Sequence, residues 1–155
     1  MAEQDFEELD GFCMDDLVSV RCGKIDEMHR DLLMGFIECR RTLGRGSATE
    51  LAAVCHRLRA LLDDLEQHCA REEWLLRAAG YAQLEQHREA HEALCTYLRQ
   101  AAMRLERGGT PEEAEIILEQ AFTRLLTHFN TTDILYAGVI SDQSSPPGPW
   151  TTGDP

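Results

Sequence analysis

Four stretches of the chain repeat apolar residues at alternating spacings of three and four, and no other feature restricts its fold as much. The first covers about 26–43 and carries Leu32, Leu33, Phe36 and Ile37. The second carries Leu51, Val54, Leu58, Leu62, Leu65, His68, Glu72 and Leu75. The third runs Leu84, His87, His91, Leu94, Leu98, Ala101 and Leu105, and the fourth Ala114, Ile117, Leu118, Ala121, Leu125 and His128. That period lines side chains along one face of an α-helix, and no two-residue alternation competes with it.

The breaks agree with the stripes. Gly44-Arg45-Gly46 is a glycine exit of the kind a left-handed helix end needs. Ser47-x-x-Glu50 opens the second helix as a capping box. Gly80 precedes the third, Gly108-Gly109 ends it, and Thr110-Pro111-Glu112-Glu113 gives the fourth an N-cap, a proline at its first position and a capping glutamate. Connections this short force antiparallel neighbours. The expected fold is all-α, an up-down-up-down antiparallel four-helix bundle over 25–140. An acidic N-terminal arm, 1–24, precedes it, and a disordered Ser/Pro/Gly-rich C-terminal tail, 141–155, follows.

The stripes contain the wrong residues at one level. His68, Glu72, His87, His91 and His128 stand where the pattern asks for leucine, and His29 shares a face with Leu32, Leu33 and Phe36. Burying one unpartnered polar group costs on the order of several kcal/mol, so a set of this size needs a common partner. The topology brings the set together. His29 is near the start of helix one, His68 and Glu72 near the end of helix two, His87 and His91 near the start of helix three and His128 near the end of helix four. At ~1.5 Å per residue, His128 lies roughly 26 Å from the start of its helix and His91 roughly 24 Å from the end of its own, at the same loop end. His68/Glu72 and His87/His91 are i, i+4 pairs on single helix faces. Asp133 follows His128 by five residues and reaches the site if the helix loosens.

Seven nitrogen and oxygen ligands exceed one structural zinc but suit two irons. With Glu72, Asp133 and one oxo or hydroxo group bridging, three histidines complete one iron. Two leave the other with an open position. The motifs Ile25-Asp26-Glu27-Met28-His29, His68-Cys69-Ala70-Arg71-Glu72-Glu73, Gly80-Tyr81 with His87-x-x-x-His91, and His128-Phe129-Asn130-Thr131-Thr132-Asp133 with Tyr136 resemble the hemerythrin family, in its bacterial form, over about 17–137. The resemblance implies that His87, His91 and His128 hold the saturated iron, His29 and His68 the open one, and that Glu72 and Asp133 bridge. It implies reversible O2 binding as hydroperoxide, and a shielding role for Leu125. The chain departs from the family pattern with Cys69 for phenylalanine, Arg124 for tryptophan and Ala82 for proline, and it lacks the usual tryptophan before helix one. Cys69 and Arg124, placed with Leu125 at the ligand pocket, imply a more polar pocket and faster autoxidation.

A net charge of −13 disfavours nucleic acid and anionic membrane as partners. Residues 1–8 are acidic, without the basic and apolar regions of a secretory signal, and the six scattered cysteines form no C-x-x-C pair. The expectation is reduced thiols in the cytoplasm. Cys69, beside His68, is the one placed for redox activity. Asp26 is expected to cap helix one, Glu73 and Trp74 to be packing or surface residues, and His56 to lie outside the site. The expected function is O2 storage, transport or delivery, not catalysis. A signalling module whose arm or tail is read by a protein partner is the alternative. A di-iron oxidase or peroxidase fits less well, because the sequence contains no Glu-x-x-His.

Overall fold

The computed structural model describes residues 13–142. Within them four α-helices, α1 (Gly23–Leu43), α2 (Ala48–Ala78), α3 (Leu84–Glu106) and α4 (Pro111–Thr131), pack each against the next, and α4 closes back on α1. This is the expected antiparallel bundle. Short 3-10 turns lie at Met14–Asp16 and Asp133–Tyr136. No helix among the described residues is long and apolar enough to cross a membrane. The expectations for 1–12 and 143–155 lie outside the described residues.

Both anticipated capping boxes form. Ser47 Oγ accepts from Glu50 N at 3.1 Å while Glu50 returns a carboxylate to Ser47 N at 2.9 Å. Thr110 and Glu113 repeat the exchange at 3.2 and 2.9 Å, with Pro111 opening α4. Gly44 and Gly46 both take positive φ, +48° and +76°, a conformation that side chains with a Cβ rarely adopt.

The start of α1 departs from expectation. It begins at Gly23, inside the segment read as an arm, and its cap position, Cys22, makes no side-chain cap bond. Asp142 supplies the cap from across the chain, its Oδ1 accepting from Lys24 N at 3.0 Å. Asp26 does not cap the helix. Its carboxylate is turned back to the extended segment before α1, accepting from Ser19 Oγ at 2.6 Å and Val20 N at 2.9 Å. That segment is also tied to α4, where Asn130 Oδ1 accepts from Val18 N at 2.9 Å. Residues 18–22 therefore form a strap across one end of the bundle.

The apolar interior is divided. A large cluster fills most of the bundle, from Leu43, Leu58, Leu105 and Leu118 to Leu33, Leu65, Cys95 and Phe129. A smaller one, Val20, Cys22, Ile25, Leu75, Leu76, Tyr136 and Ile140, lies under the strap. Most of the polar residues of interest fall between these clusters along the chain, His29 between Ile25 and Leu32, Glu72 between Cys69 and Leu75, His87 and His91 between Leu84 and Cys95, and Asp133 between Phe129 and Tyr136, while His68 and His128 lie at the edge of the larger one.

Candidate metal centre

His29, His68, Glu72, His87, His91, His128 and Asp133 are all buried. Each is held by a rigid helix except Asp133. There α4 has ended at Thr131, and the 3-10 turn that follows tightens the chain, bringing a residue five positions after His128 to the same site. Asp133 Oδ1 lies 2.8 Å from His128 Nε2.

The carboxylates divide the histidines into two sets. Glu72 Oε2 lies 3.0 Å from His68 Nε2 and 3.8 Å from His29 Nε2, while its Oε1 meets His87 Nε2 and lies 3.6 Å from His91 Nε2. Asp133 turns Oδ2 to His29 at 3.1 Å and Oδ1 to His87 at 3.3 Å and to His128. His87, His91 and His128 make one set and His29 and His68 the other. Donor atoms of the three-histidine set lie within 4.8 Å of one another, as do those of the two-histidine set with Glu72, and Asp133 belongs to both.

These groups crowd together without satisfying one another. His29 Nε2, His68 Nε2, His91 Nε2, His128 Nε2, Glu72 Oε2 and both Asp133 oxygens are buried with no hydrogen-bond partner. Native interiors rarely leave polar atoms so. Lone pairs converging at contact distance, without hydrogen-bond geometry, fit a site for cations.

The electrostatics follow from burial against the carboxylates. Burial lowers His29, but Asp133 and Glu72 outweigh it and raise the imidazole above its ordinary value. His91 behaves the same way beside Glu72 and Glu73 and is pushed up to about 10. His68, wholly enclosed, is lowered by burial. Burial raises Glu72, yet four surrounding imidazoles hold its carboxyl well below the ordinary range. The site favours a charged Glu72, and a cation would compete with protons for the imidazoles.

Several contacts were not legible beforehand. Glu73, expected to be a packing or surface residue, lies 2.8 Å from His91 Nδ1. Phe129 stacks on His29, centroids 3.8 Å apart and 13° from parallel, and meets His68 edge-on. Tyr136, fully buried, packs its ring 5.5 Å from that of His87. Burial, then the charges of Glu72 and Asp133, raises its phenol well above the ordinary value. The only early signal was proximity in sequence to a ligand.

The three residues placed at the ligand pocket separate. Leu125 is buried in the larger cluster, one turn before His128. Cys69 is buried as well, but lines an outer groove with His91 and Cys95 on the three-histidine side. Arg124 is not at the site. It is exposed, and its guanidinium stacks over the Tyr97 ring at 4.3 Å, because an adjacent aromatic on the surface offers a long cationic side chain more than the apolar interior does. On the two-histidine side a groove of about 440 Å³, lined by Met28, Leu32 and Gly35, reaches His68. His56 is exposed.

A four-helix bundle with five histidines and two shared carboxylates buried in one layer defines a cation-binding bundle. The comparisons with known proteins agree in kind: the family model for the hemerythrin HHE cation-binding domain matches residues 23–138. The chain belongs to that family. Searches of curated proteins and of solved structures returned no match.

Proposed function

We propose that the chain is a non-haem di-iron protein that binds O2 reversibly, for storage, transport or delivery and not for turnover. The observation that supports this most is the unequal division of the histidines. Three stand on one side of Glu72 and Asp133 and two on the other, so of two metals held by these residues the one on the His29/His68 side would have one protein ligand fewer and more room for a small ligand. Imidazole with carboxylate suits iron, and when bound, two ferrous ions would supply the electrons that hold O2 there.

The residues around that side serve binding more than turnover. Phe129 covers the face of His29, and Leu32, Leu33 and Leu125 are buried in the same apolar cluster as Phe129. This apolar contact keeps water from the His29 face, while the groove that reaches His68 is lined by Asp31, Glu38, Arg57 and Asp64 as well as by apolar residues. Glu72 and Asp133 span both histidine sets, while Glu73 orients His91.

The deciding experiment is the optical spectrum of iron-loaded protein, reduced without oxygen and then exposed to air. Oxo-bridged charge-transfer bands that appear in air and fade under argon support reversible binding. A direct, irreversible passage to the diferric spectrum refutes it.

One observation favours sensing as a second reading. The strap of residues 18–22 closes the metal-bearing end and is bonded to α1 through Asp26 and to α4 through Asn130, so a change at the site can be passed to a partner reading the arm. Strap protection from hydrogen exchange that differs between the reduced and oxidised protein supports that reading, and identical protection refutes it.

A further inference from the structure

The groove of about 440 Å³ between the antiparallel helices α1 and α2 ends at His68. Farther from the metal layer an ion pair spans it, Arg57 Nη2 to Glu38 Oε2 at 3.8 Å. Asp31 stands seven residues before Glu38 on α1, and Asp64 seven residues after Arg57 on α2. Seven residues are close to two turns, so Asp31 and Asp64 face each other across the groove as Glu38 and Arg57 do, but nearer to His68. The first pair joins opposite charges, whereas the second sets two carboxylates level. Among the described residues neither carboxylate has an ion-pair or hydrogen-bond partner. A second observation lies at the end of the groove. His68 is 1% exposed, its Nε2 is turned inward to Glu72 at 3.0 Å, and its Nδ1 has no hydrogen-bond partner. His91, in the other set, has Glu73 at its Nδ1. A ligating imidazole almost always gives its second N–H to an acceptor, and the His68 ring lines this groove.

We propose that this groove binds a small organic cation, its ammonium held between Asp31 and Asp64 and its tail carrying an oxygen that accepts from His68 Nδ1. The ammonium relieves the repulsion of two facing carboxylates and makes charge-assisted hydrogen bonds to both. Asp64 precedes His68 by one helical turn, a separation of about 5–6 Å between side chains, which a chain of about four carbons spans. Met28 and Leu32 in the groove wall cover those methylenes, methionine adapting readily to irregular apolar shapes. An inorganic ion suits the place less. Among the described residues, three or more ligating groups converge within 4.8 Å only at the metal centre, and Asp31 and Asp64 are in neither set. A ligand so placed does for His68 what Glu73 does for His91, orienting a metal ligand from outside on the two-histidine side. The inference uses the metal centre and is independent of O2 binding.

The test is an NMR titration of the full chain, kept diamagnetic with zinc, against 4-aminobutan-1-ol. Butylamine, which lacks the acceptor oxygen, and butane-1,4-diol, which lacks the charge, are titrated in parallel. The expected result is saturable movement of amide signals along the groove, at Asp31, Gly35, Asp64 and His68, with butylamine binding more weakly and the diol not at all. Asp31→Asn and Asp64→Asn are each expected to weaken the amino alcohol at least about tenfold. Both residues are exposed, so neither substitution disturbs the core. Asp63→Asn, equally exposed but outside the groove, is expected to bind as the unaltered chain does. The proposal is overturned if no saturable shift occurs, if shifts spread over the acidic surface, or if Asp63→Asn loses as much as Asp64→Asn. It is overturned too if butylamine binds as tightly as the amino alcohol, because the His68 contact then contributes nothing. None of these outcomes depends on iron or O2, so the reading of the metal centre as an O2 site is tested separately.

Discussion

The His91 ring donates its Nδ1 hydrogen to Glu73 Oε1 across 2.8 Å. Burial raises Glu73, but that bond together with the charges of His91, Arg88 and His87 outweighs it and keeps the carboxyl below the ordinary range, so Glu73 is the acceptor and His91 carries the hydrogen on Nδ1. The bond turns the ring so that Nε2 faces Glu72, where a cation would take the place of its proton. A metal ligand is thus oriented from outside, by the residue adjacent in sequence to a carboxylate of the site. Outer partners of this kind influence metal affinity by roughly 10–100-fold. Glu73→Ala should weaken metal binding within that range and Glu73→Gln, which keeps an acceptor oxygen, should weaken it less, as measured by competition with a chromogenic chelator.

The shared carboxylates should be worth more than any single histidine. Glu72 and Asp133 each face both histidine sets, whereas His68 belongs to one. Glu72→Ala should empty both positions. His68→Ala should leave the three-histidine position occupied. Metal per chain after dialysis, by elemental analysis, distinguishes the two, and equal loss from both variants would contradict a shared-carboxylate site.

The metal-free protein should have a characteristic pH dependence. His91 is raised from 6.5 to about 10 and His29 is raised in the same direction. A raised folded pKa contributes stability that is fully present below the unfolded value and is lost as pH rises through the folded one. His68, lowered, is neutral in both states above 6.5 and adds nothing there. Metal-free protein should therefore lose stability steadily from pH 6.5 towards 10, seen as a falling urea midpoint. Bound metal replaces those protons and should flatten the curve.

Gly35 lies in the interior of α1, where alanine ordinarily gains about 1 kcal/mol over glycine. Here a Cβ would stand 2.3 Å from Leu61 Cδ2, and Leu61 is itself buried. Overpacking of this kind costs about 1–3 kcal/mol. Gly35→Ala should come out destabilising by about 1 kcal/mol in chemical denaturation, against its helix propensity.

What the sequence made legible was local or periodic. Ser47/Glu50 and Thr110/Glu113 act within one turn, so the residues alone place them. His68, Glu72, His87, His91 and His128 were visible as interruptions of apolar stripes and His29 as sharing such a face, because a helix fixes which positions share a face, whereas Asp133 was reachable only if the helix loosened after His128. What stayed hidden depends on contacts far apart in the chain. Asp142 caps α1 from 118 residues away, and the pattern around Asp26 suggested a cap there because nothing local shows that the position is already served. Glu73 needs His91 on the facing helix before it means anything. Arg124 was placed in the pocket by the resemblance, as the occupant of a position that the family usually fills with tryptophan, yet it points outward to Tyr97.

The division of the interior governs how the metal layer meets the outside. The larger cluster is anchored by all four helices, while the smaller holds seven buried residues beneath a strap attached by a few hydrogen bonds. Such a cap opens at lower free energy than the body it covers. The exchange of metal with solution is then a matter of how often that end breathes, and the strap acts as a hatch: ligand chemistry determines how tightly the ions are held, and the contacts of a small apolar cap that ligates nothing determine how quickly they come and go.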